Sequence, residues 1–329
     1  MQLSIITVNY RSWKHLENLL SDLIAAPEVA DRQWELIVVD NDSADGNLEQ
    51  FSARFKDVRF VANKGNFGFA HGNNLGASHA AGEALLFINP DVRADPDSVR
   101  QLIQTGKAHP EVALLTALQV DAKGRPQKAF DRFPNLLTYV RTIRSLAGLH
   151  RRSDLDPNAR GDELIHCDWI SGSLLLIDHI CFDELGGWCE DFWMYAEDMD
   201  LSRTAQDKGM LRACSRSCVF VHLHGGASRR DGPTTLLTKT EVMISAHVYI
   251  ARHFSGLHQW ANHTIVLMRN LVPLAMSALL SVVTLGLAGG LRLRAKLFIR
   301  ITAYYYSALK TGTWLSPRSV NYAPRLRAR

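Results

Sequence analysis

Glu35-Leu36-Ile37-Val38-Val39-Asp40-Asn41-Asp42-Ser43-Ala44-Asp45-Gly46 is an unbroken aliphatic run that ends abruptly in a carboxylate-rich turn. A strand wetted on one face alternates apolar and polar residues. A strand covered on both faces does not, and that is the pattern of parallel strands flanked by helices. Working back, Leu3-Ser4-Ile5-Ile6-Thr7-Val8 reads as a second short strand, with Trp13, Leu16, Leu19, Leu20, Leu23 and Ile24 at helical spacing between the two. The opening is therefore β-α-β. Working forward, strands are expected at 58–61 and 84–88 with a helix over 70–81 between them. A further helix begins at Pro96, where Asp95 is the N-cap and proline takes the first helical position. Strands follow at 112–118, 165–169, 173–177 and 218–222, and a helix over 196–208 stops at Gly209. Residues 121–162, basic and proline-containing, read as a mobile connection over the site. The class is α/β with a mostly parallel sheet, whose ligand lies at the carboxyl ends of the strands.

The polar motifs fall where that geometry needs them. Asp40 and Asp42 follow the second strand, where carboxylates accept hydrogen bonds from a base imide or a ribose; an Asx-rich turn is the alternative reading. Asn89-Pro90-Asp91 follows the strand at 84–88, and its carboxylate is a hard oxygen ligand suited to Mg²⁺ or Mn²⁺ on a diphosphate. Between them, Asn63-Lys64-Gly65-Asn66-Phe67-Gly68-Phe69-Ala70-His71-Gly72-Asn73-Asn74-Leu75-Gly76 leads into a helix, and its glycines let backbone N–H groups approach a polar ligand. It is neither a Walker loop nor GxGxxG. The densest cluster runs from Glu190 to Asp200, with five acidic residues in 11 positions and Trp193 and Tyr195 among them as faces for a sugar ring. Glu197 and Asp198 stand at a helix start, where the dipole favours an ionised carboxylate able to act as a general base. The last strand delivers His222 and His224, two residues apart and so on one face.

The net charge of +4 hides an asymmetry. From residue 229 to 329 there are 14 Lys and Arg against 2 Asp and Glu, leaving 23 and 31 for residues 1–228, so the C-terminal part carries +12 and the rest −8. The basic part contains residues 271–291, which are 21 consecutive uncharged residues, long enough to cross a bilayer. Such a region suits an anionic membrane surface and not nucleic acid. Arg269 precedes the run and Arg292, Arg294, Lys296 and Arg300 follow it, while Pro273, Gly286, Gly289 and Gly290 weaken a straight helix. Helices that lie in, or turn back within, the inner leaflet are favoured over a crossing, with a packed core helix pair as the alternative. The five cysteines are odd in number and form no CxxC, which argues against a zinc ribbon or a disulfide framework and for a reducing compartment. No basic and apolar leader opens the chain, so a cytoplasmic placement is expected.

In their order along residues 2–230, Ser4-Ile5-Ile6-Thr7-Val8-Asn9-Tyr10, Val39-Asp40-Asn41-Asp42-Ser43, Gly65-Asn66-Phe67-Gly68-Phe69-Ala70, Asn89-Pro90-Asp91, Gly172-Ser173, Glu197-Asp198-Met199-Asp200 and the histidine-glycine segment resemble the family-2 glycosyltransferases of the GT-A fold. Within them the chain looks most like bacterial rhamnosyltransferases of cell-surface polysaccharide synthesis. The resemblance implies a GT-A domain over 1–230 and a helical membrane-associating region over 231–329. It implies that Asp40 reads the nucleotide base, with Thr7 and Asn9 beside it and Asp42, Asn66, Gly68, Asn73 and Asn89 in the same nucleotide-sugar site. Asp91 matches the last position of the family's DxD metal motif, whose first position is Asn89 here, so one carboxylate is left. Asp198 matches the general base with Glu197 beside it, and His222 or His224 matches the histidine near the metal and diphosphate. Trp193, Tyr195 and Gly172 are expected at the acceptor. The implied cofactor is Mg²⁺ or Mn²⁺. The implied partners are a nucleoside-diphosphate sugar, a polyprenyl-diphosphate-linked saccharide and membrane lipid, at the cytoplasmic face of the inner membrane. No QxxRW follows the base, which implies one transfer per acceptor. A nucleotidyltransferase shares the sheet and the metal but carries a glycine-rich basic loop after its first strand, where Asn9-Tyr10-Arg11 stands here. A non-catalytic membrane-bound scaffold is disfavoured by the retained Asp91, Asp198 and histidines.

Overall fold

The computed structural model describes residues 1–134, 163–223 and 232–323. The aliphatic runs form the centre of one sheet: β1 (Leu3–Asn9), β2 (Trp34–Asp40), β3 (Val58–Ala62) and β4 (Ala84–Ile88) are parallel, in the order β3-β2-β1-β4. The chain steps one way from β1 to β2 and β3, then returns to the other side of β1 for β4. The carboxyl ends of β1 and β4 therefore flank a topological switch point, the crevice where such sheets bind ligands. Helix α1 (Trp13–Ile24) buries Trp13, Leu16, Leu19, Leu20 and Leu23 against one face of the sheet. The other face receives α4 (Phe69–Ala77), whose approach is set by glycine. A methyl on Gly76 would lie 2.4 Å from Ile6 Cγ2, so only hydrogen fits there. Short α2 (Pro27–Ala30) and α3 (Asn47–Arg54) join strands; α3 buries no residue completely, and only Leu48 and Phe51 pack from it against the core.

Beyond β4 come the two-residue β5 (Val92–Arg93), then α5 (Pro96–Ala108), whose N-cap Asp95 accepts from the N–H groups of Asp97 and Ser98 as expected, and β6 (Val112–Val120). Residues 121–134, expected to be mobile, contain β7 (Pro126–Gln127) paired with β6 and β8 (Phe130–Asp131) paired with β10 (Trp169–Ile170); 135–162 lie outside the described residues. β9 (Leu164–His166) pairs with β12 (Leu211–His222), which is parallel to β6. The strand expected at 173–177 is β11 (Leu174–Asp178), and it runs antiparallel to both β4 and β6. It is held that way round because His179, which opens α6 (His179–Leu185), donates its N–H to the Glu83 carbonyl at the amino end of β4. Helix α7 (Glu197–Asp207) closes before Gly209, at φ +76°. All five cysteines are free thiols.

The described chain divides into two compact units. The sheet with α1–α7, residues 1–133, 163–189 and 197–223, is one; residues 190–196 belong with 232–323 in the other. The second unit holds α8 (Gly232–His253), α9 (Gly256–Val283) and α10 (Gly289–Thr311). The uncharged run at 271–291 is not one helix. It bends at 284–288, where Leu285 and Gly286 take positive φ and Gly286 N donates to the Ser281 carbonyl, closing the end of α9. Pro273, expected to weaken a straight helix, lies inside α9; this helix is the one among the described residues that is long and apolar enough to cross a membrane.

Candidate active site

The loops after β1 and β2 are stapled to one another. Asp40 accepts from Asn9 Nδ2 at 3.2 Å, from Ser43 N at 3.1 Å and from Ser43 Oγ. Asn9 Oδ1 in turn accepts from Ser12 N at 3.1 Å, and Arg11 donates its N–H to Ser43 Oγ and its Nε–H to the Ser43 carbonyl, both at 2.8 Å. Asp40 and Asn9 thus join the two loops into one wall at the carboxyl ends of the strands, while Asp42, at φ +62°, is exposed. Thr7 is buried beneath them and its Oγ1 has no hydrogen-bond partner. The glycine loop is tied to the same wall through Asn41, a residue sequence reasoning did not single out. Its Nδ2 donates to Asn66 Oδ1 and to the Gly68 carbonyl, and its Oδ1 accepts from Asn63. Gly68 sits at φ +94°, a conformation that side chains resist, and so lets α4 start there. Asn73 lies inside α4 with Nδ2 on the Phe69 carbonyl, so its amide organises the helix.

A polar row crosses the adjacent strands β11, β6, β12 and β5 at the same edge. Ser171 Oγ lies 3.0 Å from Ser173 Oγ, Gln119 Nε2 donates to Ser173 Oγ at 3.0 Å, His222 Nδ1 lies 2.8 Å from Gln119 Oε1, and His222 Nε2 lies 3.3 Å from Asp91 Oδ1. With the Gln119 amide donating to Ser173, its oxygen must accept from Nδ1–H of His222. The Nε2 of His222 then faces the Asp91 carboxylate. Both groups are buried, at 7% exposure for Asp91 and 4% for His222. Burial pushes the Asp91 carboxyl up, but the hydrogen bond and charge of His222, with His15 adding, leave it below its usual value. Gln119 was legible as a lone amide in an aliphatic strand, yet its partners are distant in sequence. Asn89 sits half-buried in the turn just before Asp91, its carbonyl accepting from Val92 N.

Asp91 and His222 form an oxygen and nitrogen pair fit for one edge of a divalent cation whose other positions phosphate oxygens and water fill. Among the described residues no third metal-binding side chain joins them, and His224 lies outside the described residues.

The segment that carries Ser173 also touches the expected base. Gly172 N donates to Asp198 Oδ2 at 3.2 Å, and Met199 N to Asp198 Oδ1 at 2.8 Å. A methyl on Gly172 would meet Phe69 and Trp188 at 3.2 Å and Asp198 Cβ at 3.5 Å. Gly172 is therefore part of the cradle of Asp198, the expected base. Glu197 is 6% exposed and its Oε2 has no partner. Burial first, then the charges of Asp198 and Asp200, push its carboxyl well up. Burial also raises Asp198, against the two amide hydrogen bonds that favour its anion. Both carboxyls are thus raised, Glu197 the further of the two, while the N–H groups of Gly172 and Met199 favour the anion of Asp198.

Residues 190–196 are organised within the second unit. Asp191 meets Arg252 Nη1 at 2.8 Å and Asn321 Nδ2 at 2.9 Å, Ser319 Oγ donates to the Glu190 carbonyl, Ser245 Oγ donates to the Met194 carbonyl, and Arg318 lies 5.1 Å over the Trp193 ring. Trp193 is buried there, and Tyr195 is half-buried at φ +73°.

The profile of the family described as glycosyl transferase family 2 matches residues 4–160, from β1 past the Asn89-Pro90-Asp91 turn. Over that part the chain resembles the family-2 glycosyltransferases. It is 26% identical over 275 residues to the N-acetylglucosaminyl-diphospho-decaprenol L-rhamnosyltransferase of Mycobacterium tuberculosis, covering 77% of this chain and 85% of that one. It is 25% identical over 206 residues to rhamnosyltransferase WbbL of Escherichia coli K12, covering 60% of this chain and 74% of the other. Among solved structures, the mannosyltransferase PcManGT of Pyrobaculum calidifontis in complex with GDP-Man and Mn²⁺ superposes with a TM-score of 0.52 at 16% identity, over 94% of this chain and 87% of that one. This glycosyltransferase thus has a GT-A fold, and it resembles bacterial rhamnosyltransferases.

Proposed function

We propose that this glycosyltransferase makes a single inverting transfer of a sugar, L-rhamnose from dTDP-rhamnose, to a hydroxyl of a polyprenyl-diphosphate-linked saccharide at the cytoplasmic face of a bacterial inner membrane. One observation carries the chemistry: residues 171–173 link Asp198 at one end to the Ser173–Gln119–His222–Asp91 row at the other. A base and a diphosphate-end pair held by one short segment suit a displacement in which the acceptor oxygen loses its proton as the diphosphate departs. Asp198 takes that proton; its anion is kept by Gly172 N and Met199 N, and its raised carboxyl suits a general base. Asp91 and His222 would hold Mg²⁺ or Mn²⁺, which supplies charge neutralisation for the leaving diphosphate. Asp40, Asn9 and Asn66 shape the nucleotide pocket. The donor and acceptor classes are supported by the printed names of the relatives; membrane lipid as a partner is supported by the basic, apolar C-terminal region.

A donor screen read by mass spectrometry, with nucleotide sugars offered alongside polyprenyl-diphosphate-linked N-acetylglucosamine, tests the reading. One added deoxyhexose with dTDP-rhamnose supports it. Product with a different donor alone, or hydrolysis without an acceptor product, overturns the substrate assignment.

A further inference from the structure

Helix α9 is inside out. Of the six residues it buries, four are polar, namely Asn262, Asn270, Ser277 and Ser281. Its exposed side carries Leu257, Trp260, Met268, Val272, Met276 and Leu279, which from Met268 onward recur every three or four residues. A helix packed on a core and facing water does the reverse. The buried polar side is largely paired within the same unit, with Asn262 Oδ1 and His263 Nε2 left without a partner: Asn270 Nδ2 donates to Tyr305 OH at 3.0 Å, Tyr305 OH lies 3.0 Å from His247 Nε2, and His247 Nδ1 lies 2.8 Å from His263 Nδ1, with Trp314 stacked on both imidazoles. The apolar stripe runs on into the turn, where Leu285 and Leu287 are 88% and 84% exposed. Immediately after it come Arg292, Arg294, Lys296 and Arg300 on α10, all exposed.

We infer that the outer face of the α9–α10 hairpin lies along an anionic lipid leaflet, with α9 in the plane of the interface and the 284–288 turn as its deepest point. This inference rests on the proposed lipid-linked acceptor only for its purpose; the geometry stands alone. A crossing is excluded by the partner helix. The turn folds α10 back along α9, as the Asn270–Tyr305 bond shows, so a bilayer around α9 would also enclose Arg292, Arg294, Lys296, Arg300 and Lys310. With α9 in plane, those cations reach headgroup phosphates while the leucines, methionines and valines enter the acyl boundary. The charge selects lipid over a second protein copy, since pairing two such faces would bring the two basic clusters together.

The full-length protein, freed of detergent, is sedimented with vesicles of phosphatidylcholine alone and with phosphatidylglycerol added. The expected result is pelleting with the anionic vesicles and release by high salt. Met268→Glu/Met276→Glu and Leu285→Glu/Leu287→Glu weaken binding at least about tenfold, and Arg292→Glu/Lys296→Glu removes the preference for phosphatidylglycerol. All these positions are exposed, so circular dichroism and thermal melts should match the wild type. A wild-type protein that stays in solution with both vesicle types overturns the inference. So does a stable dimer by light scattering that the glutamate variants dissociate. A Lys296→Cys variant labelled by an impermeant maleimide only from the vesicle lumen overturns it as well, because that result means a crossing. No donor or acceptor enters the assay, so vesicle binding without sugar transfer would refute the proposed reaction and leave this inference standing.

Discussion

Asn in place of Asp198 removes the proposed base while keeping its shape, and the structure sets two separate magnitudes. The carboxylate accepts from Gly172 N on one oxygen and from Met199 N on the other. An amide has a single acceptor oxygen, so one of these N–H groups must face an NH₂. An unsatisfied buried donor costs about 1–3 kcal/mol, which for a domain of this size lowers Tm by several degrees. Loss of general-base catalysis costs about 10²–10⁴ in rate, or roughly 3–5 kcal/mol of transition-state stabilisation. The expected variant therefore melts slightly earlier, binds the nucleotide sugar in calorimetry with near wild-type affinity, and turns over at least about a hundredfold more slowly. The assay is kcat at saturating donor and lipid-linked acceptor, beside donor calorimetry on the same preparation. A rate above about one tenth of wild type would refute the assignment of Asp198, because no positioned base contributes so little. A large loss of donor affinity with kcat preserved would refute it equally, since the residue would then be a donor contact.

Transfer is expected to need Mg²⁺ or Mn²⁺, and Asp91→Ala to raise the metal concentration required, read by activity titration and by Mn²⁺ paramagnetic resonance of the free enzyme; full wild-type activity in excess chelator would contradict this. Gln119→Leu leaves Nδ1–H of His222 without its acceptor, so kcat/KM for the donor should fall about tenfold with a modest drop in Tm, and an unchanged kcat/KM would detach the row from the reaction. Because burial raises Asp198, activity should climb with pH through a value above that of an ordinary aspartate, and Glu197→Gln should leave that acid limb in place. The stability sign is opposite: carboxyls raised in the fold bind protons more tightly there than in the unfolded chain, so their contribution is lost as pH rises through the folded values, and Glu197→Gln should gain on wild type in melts toward alkaline pH. Gly76→Ala, driven against Ile6, should destabilise by about 1–3 kcal/mol in denaturant titration.

Much of this was legible in the chain because it is local. Continuous aliphatic runs name β1, β2 and β4, the five buried positions of α1 keep helical spacing, and Asp95-Pro96 starts α5 by its own capping chemistry. Each needs only neighbours within a turn or a strand. Helix α3 escaped because it packs with half-buried residues, and Gln119 escaped as a site residue because an amide in a strand has no meaning until its partners are known.

By itself, then, the sequence determined an alternating α/β chain, the polar turns at its strand ends, and a basic apolar region after them, since hydrophobic period, turn chemistry and charge act over short distances. Only the tertiary structure decided that β11 runs antiparallel, that Ser173, Gln119, His222 and Asp91 form one row, and that Gly172 serves Asp198. It also assigned residues 190–196 to the second unit and turned the polar side of α9 inward. Those facts depend on which distant segments meet, and one-dimensional spacing carries no term for a hydrogen bond between residues a hundred positions apart.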